Sequence, residues 1–223
     1  MEKIRRDVLG DTITKYLRRA ILLGELPDGH HLAEPDLAQQ FGTSRSPVRE
    51  SLLHLIREGF AERLPNGRVC VRHFTFQDIH NLFEFRFMLE SQSIKKWIHH
   101  DQRALPEDEF KILLDKMQKS YISSEQFSEY DMEFHKKIVH LSNDKSMIQA
   151  WSGLEEVIKS ILQITNQSNG RAESILEQHQ NMISLLMSNS GYDEVCAVIK
   201  QHLNEAESVM VTRIKEIRKE TLI

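Results

Sequence analysis

The stretch from Phe41 to Phe60, FGTSRSPVRESLLHLIREGF, decides how this chain is read. Gly42 and Gly59 close it at either end, and between them Val48, Leu52, Leu55 and Ile56 recur at the spacing of one helical face. Pro47 is tolerable in a first helical turn, where amide donors have no intrahelical partner, and a serine just before it suits a cap. The spacing therefore predicts a helix running to about Glu58. Upstream, Ile13, Leu17 and Ile21 form an i, i+4 series that predicts a helix from Asp7 to Gly24. Leu26-Pro27-Asp28-Gly29 reads as a turn, and Leu32, Leu37, Ala38 and Phe41 as a short second helix interrupted by Pro35. Downstream, Ala61 to Leu64 and Arg68 to Val71 read as two short strands around Pro65-Asn66-Gly67, with Asn-Gly as a two-residue hairpin turn. Three helices and a hairpin make a winged helix-turn-helix over residues 1–73.

From Phe76 onward there is no further strand signal. Apolar periodicity near 3.6 recurs near 76–99, 106–121, 125–141, 144–166, 171–189 and 192–219, so residues 76–223 are expected to form an all-helical bundle. His73 to Thr75 is the junction. The fold class is mainly α, with a small N-terminal head on a larger helical body.

Composition bounds the function. The chain has 223 residues, 40% hydrophobic and 28% charged, with a mean hydropathy of −0.44. It has no apolar run of membrane-spanning length and no apolar signal core near its start, so a cytoplasmic protein without a membrane partner is expected. Cys70 and Cys196, far apart, exclude a disulfide scaffold and a thiolate zinc finger, and read as buried, reduced thiols. Through Arg72 the chain carries twelve Lys and Arg against ten Asp and Glu, while the remainder is net acidic, a balance compatible with a nucleic-acid-binding head. No GxSxG, HExxH, P-loop or GxGxxG is present.

Arg45 and Arg49 lie four apart at the start of the expected recognition helix, so both project toward a major groove, where arginine donates two bonds to guanine O6 and N7. Thr43, Ser44 and Ser46 are short donors near a helix N-terminus, suited equally to phosphate contact and to capping. Arg68 at the hairpin is placed to enter the minor groove or to touch phosphate. Residues Ala20 to Val71, and Ser44-Arg45-Ser46-Pro47-Val48-Arg49-Glu50 above all, resemble the winged-helix head of the GntR family of bacterial transcription regulators. The resemblance implies double-stranded DNA as partner, read at a pseudo-palindromic operator by a homodimer.

Eleven histidines is a high count. Asp131 and His135 are four apart and stack on one helical face, while His179 and His202 fall on two further predicted helices. One carboxylate and three imidazoles suit a divalent ion, zinc first and then nickel or manganese, but spacing alone equally allows packed histidines. Residues 76 to 215 resemble the FCD effector domain of the FadR subfamily, in its metal-binding branch, whose D-x3-H…H…H pattern falls on Asp131, His135, His179 and His202. Arg86, matching that domain's R-x2-LE stretch, and Arg171 are candidates either to hold a carboxylate effector or to form ion pairs within the bundle. The other eight histidines are expected at the surface or in packing. Met88, Met182 and Met187 read as core filler, and Trp97 and Trp151 as bundle packing.

The resemblance implies a ligand-responsive regulator and not an enzyme: a repressor that a small organic acid, bound at a metal-containing pocket, releases from its operator. The competing readings are an all-helical metalloenzyme with an accessory head, activating water at the same cluster, and a sensor whose effector is the metal itself.

Overall fold

The computed structural model describes residues 2–100, 104–120, 123–165, 172–188 and 190–220. Within them the chain forms α1 (Glu2–Leu23), α2 (Glu34–Gln40), α3 (Arg45–Arg57), β1 (Ala61–Arg63), β2 (Val69–Val71), α4 (Phe76–Ile98), α5 (Glu107–Lys119), α6 (Ser124–His140), α7 (Lys145–Thr165), α8 (Ala172–Met187) and α9 (Tyr192–Glu220). They divide into two compact units, one comprising the chain up to Asp78 together with the turns of α9 from Ile214, the other Ile79–Arg213.

In the first unit α1 packs on α3. Ile13, Leu17 and Ile21 are buried on one side and Val48, Leu52 and Leu55 on the other, as their spacing requires. Two polar contacts fix the pairing. Buried Thr14 Oγ1 stands 3.0 Å from Ser51 Oγ, and Arg18 makes two bonds to Glu58, 2.8 Å from Nε and 2.7 Å from Nη2. Pro35 does not interrupt α2. It lies in the first turn, where its missing N–H is unneeded. Leu32 is not helical either: its N–H donates to Val69 O and that of Val71 to His30 O, so residues 30–32 lie extended beside β2. Gly42 makes the turn between α2 and α3 with φ of 60°, a left-handed backbone that costs glycine no Cβ clash.

The wing pairs Ala61 with Val71 and Arg63 with Val69. Its connection is a three-residue loop rather than the expected two-residue Asn-Gly turn. Leu64 N–H donates to Arg68 O, Gly67 N–H to Leu64 O, and Gly67 alone of the loop has positive φ, 83°. Pro65 presets the φ that a type I turn needs, and glycine supplies the left-handed residue that follows it. Arg218 donates to Leu22 O at 3.0 Å and to Phe74 O at 3.1 Å, filling one acceptor at the end of α1 and one in the junction before α4.

The six helices of the body fall within a residue or two of the predicted segments. α4 opens on a reciprocal cap: Thr75 N–H donates to Asp78 Oδ2 at 2.8 Å, and Asp78 N–H to Thr75 Oγ1 at 3.1 Å. In the second unit α5 packs against α6 and α8, and α6 against α7. The core includes Phe110, Met117, Phe127, Phe134 and Leu176, with Phe110 and Phe134 edge to face at 5.2 Å. Met182 is buried with them. Met88 and Met187 are about half exposed and are not core filler, because each sits on the solvent side of its helix.

Candidate metal centre and nucleic-acid interface

α6 presents Asp131 and His135 one turn apart, α8 presents His179 and α9 presents His202. All four are buried, and one ligand atom from each lies within 4.8 Å of the others. His179 Nε2 is 3.1 Å from His135 Nε2 and 3.2 Å from Asp131 Oδ1. The rings of His135 and His202 stack at 5.1 Å, and Phe134 meets the His179 ring edge to face at 4.4 Å, so the cluster rests on apolar ground.

The outward nitrogens determine what the inward ones can do. His179 Nδ1 faces Ile175 O at 2.6 Å, and a carbonyl only accepts, so that nitrogen carries the proton. His135 Nδ1 faces Glu90 Oε2 at 2.7 Å, while Glu90 Oε1 accepts from Arg86 Nε at 2.9 Å. His202 Nδ1 faces Gln178 Oε1 at 2.7 Å, an oxygen identified as such because the amide nitrogen donates to Glu205. With every Nδ1 protonated, each neutral imidazole turns a bare Nε2 lone pair inward. Burial holds both His135 and His202 below the ordinary histidine range, His202 well below it; the Arg86 charge adds to this at His135, and His179 and His135 add to it at His202. Burial would raise Asp131, but in the metal-free cluster a proton on His179 Nε2 makes that nitrogen a donor to Asp131, and this bond and its charge, with His135 and Arg86, outweigh burial and hold the carboxyl below its usual range.

Three lone pairs and a carboxylate facing one another could hold a cation. A single proton on His179 Nε2 satisfies Asp131 and His135 and leaves His202 unanswered, whereas a divalent metal ion answers all four. The donor set fits such an ion, and Glu90, Ile175 O and Gln178 stand where outer partners would orient imidazole ligands.

Arg86 is 1% exposed. Its Nε forms the ion pair with Glu90, while its Nη2 has no hydrogen-bond partner. Arg171 lies outside the described residues. His30, His31, His54, His73, His80, His99, His100 and His140 are all exposed, as expected. Sequence reasoning missed Glu90 and Gln178. An acid inside the apolar run around Leu89 is a visible signal, and Gln178 adjoins a ligand, but their partners come from other helices.

In the head, Arg45, Ser44, Ser46 and Arg68 are exposed, Thr43 is half-buried in the turn, and Ser44 occupies the cap position of α3 without a side-chain capping bond. Arg49 is not free: it donates to both oxygens of Glu34, at 2.9 and 2.8 Å, although 61% exposed. Arg45 and Arg63 contribute to the field that lowers Glu34 further below the usual carboxylate range, after the Arg49 bond. Arg63, on β1, is a basic residue of this surface that the sequence reading passed over.

The FCD domain family matches residues 81–205, and the gntR family of bacterial regulatory proteins matches residues 9–71. The chain is 28% identical over 189 residues to the gluconate operon transcriptional repressor of Bacillus licheniformis, covering 82% of this chain and 77% of that one. It is 28% identical over 179 residues to the Nta operon transcriptional regulator of Aminobacter aminovorans, covering 79% and 82%. The solved structure of Lar, which controls expression of the agr system of Listeria monocytogenes, shares the fold with a TM-score of 0.72 at 17% identity, over 91% of this chain and 96% of that one.

A winged helix-turn-helix with a helical effector domain defines a ligand-responsive, DNA-binding transcription regulator, not an enzyme. The chain belongs to the GntR family of bacterial regulators and carries an FCD domain as its body. The reading as a metalloenzyme is not favoured by this membership. No helix among the described residues is long and apolar enough to cross a membrane.

Proposed function

We propose that this protein is a cytoplasmic repressor whose FCD body holds one divalent metal ion on Asp131, His135, His179 and His202 and binds a small organic acid there. The observation that carries the reading is the convergence of four buried acceptor atoms whose outward partners fix all three imidazole tautomers. Three imidazoles with one carboxylate suit zinc, with nickel or manganese as alternatives. When bound, the ion supplies a Lewis-acid position for a carboxylate oxygen. Arg86, with a buried guanidinium nitrogen unpaired, supplies a second anchor at the other end of the acid. The gluconate operon repressor among its relatives makes gluconate a natural member of the acids to test.

Arg45 and Arg49 read base edges; Thr43, Ser44, Ser46 and Arg68 contact the backbone, and a homodimer places two such heads on a pseudo-palindromic operator. α4, which carries Arg86 and Glu90, and α9, which carries His202, each contribute residues to both units. A shift of either on acid binding changes the head and lowers operator affinity, a coupling of about 1–3 kcal/mol. Calorimetry of acid binding with and without operator tests this. The reading expects operator to weaken acid binding by the factor by which acid weakens DNA binding, and equal affinities for every acid that binds would overturn it.

A further inference from the structure

Two buried side-chain donors among the described residues have no hydrogen-bond partner, Arg86 Nη2 and Trp151 Nε1. They come from different helices, α4 and α7, and the Arg86 guanidinium lies over the Trp151 ring, 5.8 Å from its centre, a cation–π contact that sets the two side chains against one another. Arg86 is 1% exposed and Trp151 fully buried, so bulk water reaches neither. An indole N–H only donates, and a buried donor without an acceptor is among the costlier things a fold can leave unmade. The same guanidinium is tied through Nε to Glu90, and Glu90 to His135. One end of this polar system is therefore short of positive charge, with four acceptors facing one another, and the other is short of an acceptor, with two donors facing none.

We propose that Trp151 is an effector-contacting residue: its indole N–H and Arg86 Nη2 between them receive the oxygens of a carboxylate at the far end of the bound acid, which makes the effector an acid with two oxygen-bearing ends. The inference rests on the reading of the body as an acid-binding metal site. It adds that a one-ended acid is a poor ligand, because it occupies the position on the metal ion and leaves both donors bare. Two donors on separate helices also fix the length of the acid, since a carboxylate must reach them while its other end stays at the cluster.

The protein has two tryptophans, so Trp97→Phe leaves Trp151 as the sole indole reporter. The zinc-loaded full-length protein is titrated with glycolate, malate, citrate, gluconate and, as the one-ended control, butyrate, following Trp151 emission and heat. The expected result is a saturable emission change with at least one two-ended acid, bound roughly tenfold or more tighter than butyrate. Trp151→Phe, which keeps the ring and removes the N–H, is expected to lose about that factor for the two-ended acid, to leave butyrate binding unchanged and to retain zinc at the wild-type stoichiometry. Wild-type affinity in Trp151→Phe, or butyrate binding as tightly as every two-ended acid, would overturn the inference while leaving the acid-binding reading intact. Failure of all five acids to bind the wild type would remove both.

Discussion

Glu90 Oε2 stands 2.7 Å from His135 Nδ1, and neither side chain is exposed to solvent. Through Oε1 the same carboxylate accepts from Arg86, so one buried anion orients an imidazole and neutralises a guanidinium. Burial would raise the pKa of Glu90, but the charge of Arg86 and the hydrogen bonds from His135 and Arg86 outweigh it and hold the group below the usual carboxylate range, ionised. Carboxylate, imidazole and inward lone pair form one relay of orientation.

Removing the charge of Glu90 without its shape therefore weakens the metal site before it weakens the fold. Glu90→Gln is expected to lower metal affinity by about 10- to 100-fold, measured by competition with a chromophoric chelator. Glu90→Ala leaves the Arg86 charge buried and unpaired, and is expected to cost about 3–5 kcal/mol in denaturant unfolding. Equal metal affinity in Glu90→Gln and wild type would show that the carboxylate does not support the ligand.

His135 and His202 are both held below the ordinary histidine value of 6.5, which fixes a sign for the metal-stripped protein. As pH falls through about 6.5 the unfolded chain takes up protons that these folded side chains refuse, so stability falls with pH and stops falling once their folded values are passed. Thermal melts of stripped protein from pH 8 to pH 5 are expected to show this loss. Metal-loaded protein resists it until protons displace the ion, because imidazole ligands must be deprotonated to bind. A stripped protein that gains stability over the same interval would contradict the assignment of buried, neutral imidazoles.

In the head, Arg45→Ala and Arg49→Ala are each expected to weaken specific operator binding roughly ten- to hundredfold, read by fluorescence anisotropy at fixed salt. Arg68→Ala, a wing residue assigned to the backbone, is expected to weaken specific and non-specific DNA alike and to flatten the salt dependence. On the proposed reading, Arg49 exchanges Glu34 for a base on binding DNA. The pair is exposed, so Glu34→Gln is expected to leave thermal stability unchanged. Full operator affinity in both arginine variants would reject α3 as the recognition helix.

Much of this was legible in the sequence, for reasons of periodicity. The helices of the body each bury one face, and an apolar stripe at 3.6 spacing is visible without knowing what covers it. Leu32 is ambiguous in sequence because a lone apolar residue five positions before Leu37 fits a helix as well as a strand, and only the bonds at Val69 and Val71 decide. The wing loop is one residue longer than Asn-Gly, a strong hairpin signal, suggests, because the preceding proline tips the backbone to a type I turn. Asp131 and His135 announced themselves by spacing, and His179 and His202 through the family pattern. Glu90 and Gln178 did not, since an outer partner is defined by a neighbour on another helix.

His179 lies at the centre of the cluster, touching His135 and Asp131 at once. His179→Ala is expected to lower metal affinity by at least about tenfold and to leave the helical content unchanged.

The most direct test of the metal centre is elemental analysis, with native mass spectrometry, of protein purified without chelator and without a metal-affinity tag. The account predicts one divalent ion per chain, lost in the His179→Ala and His202→Ala proteins. Folded wild-type protein that carries no stoichiometric ion and takes up none on titration with zinc, nickel or manganese would contradict it.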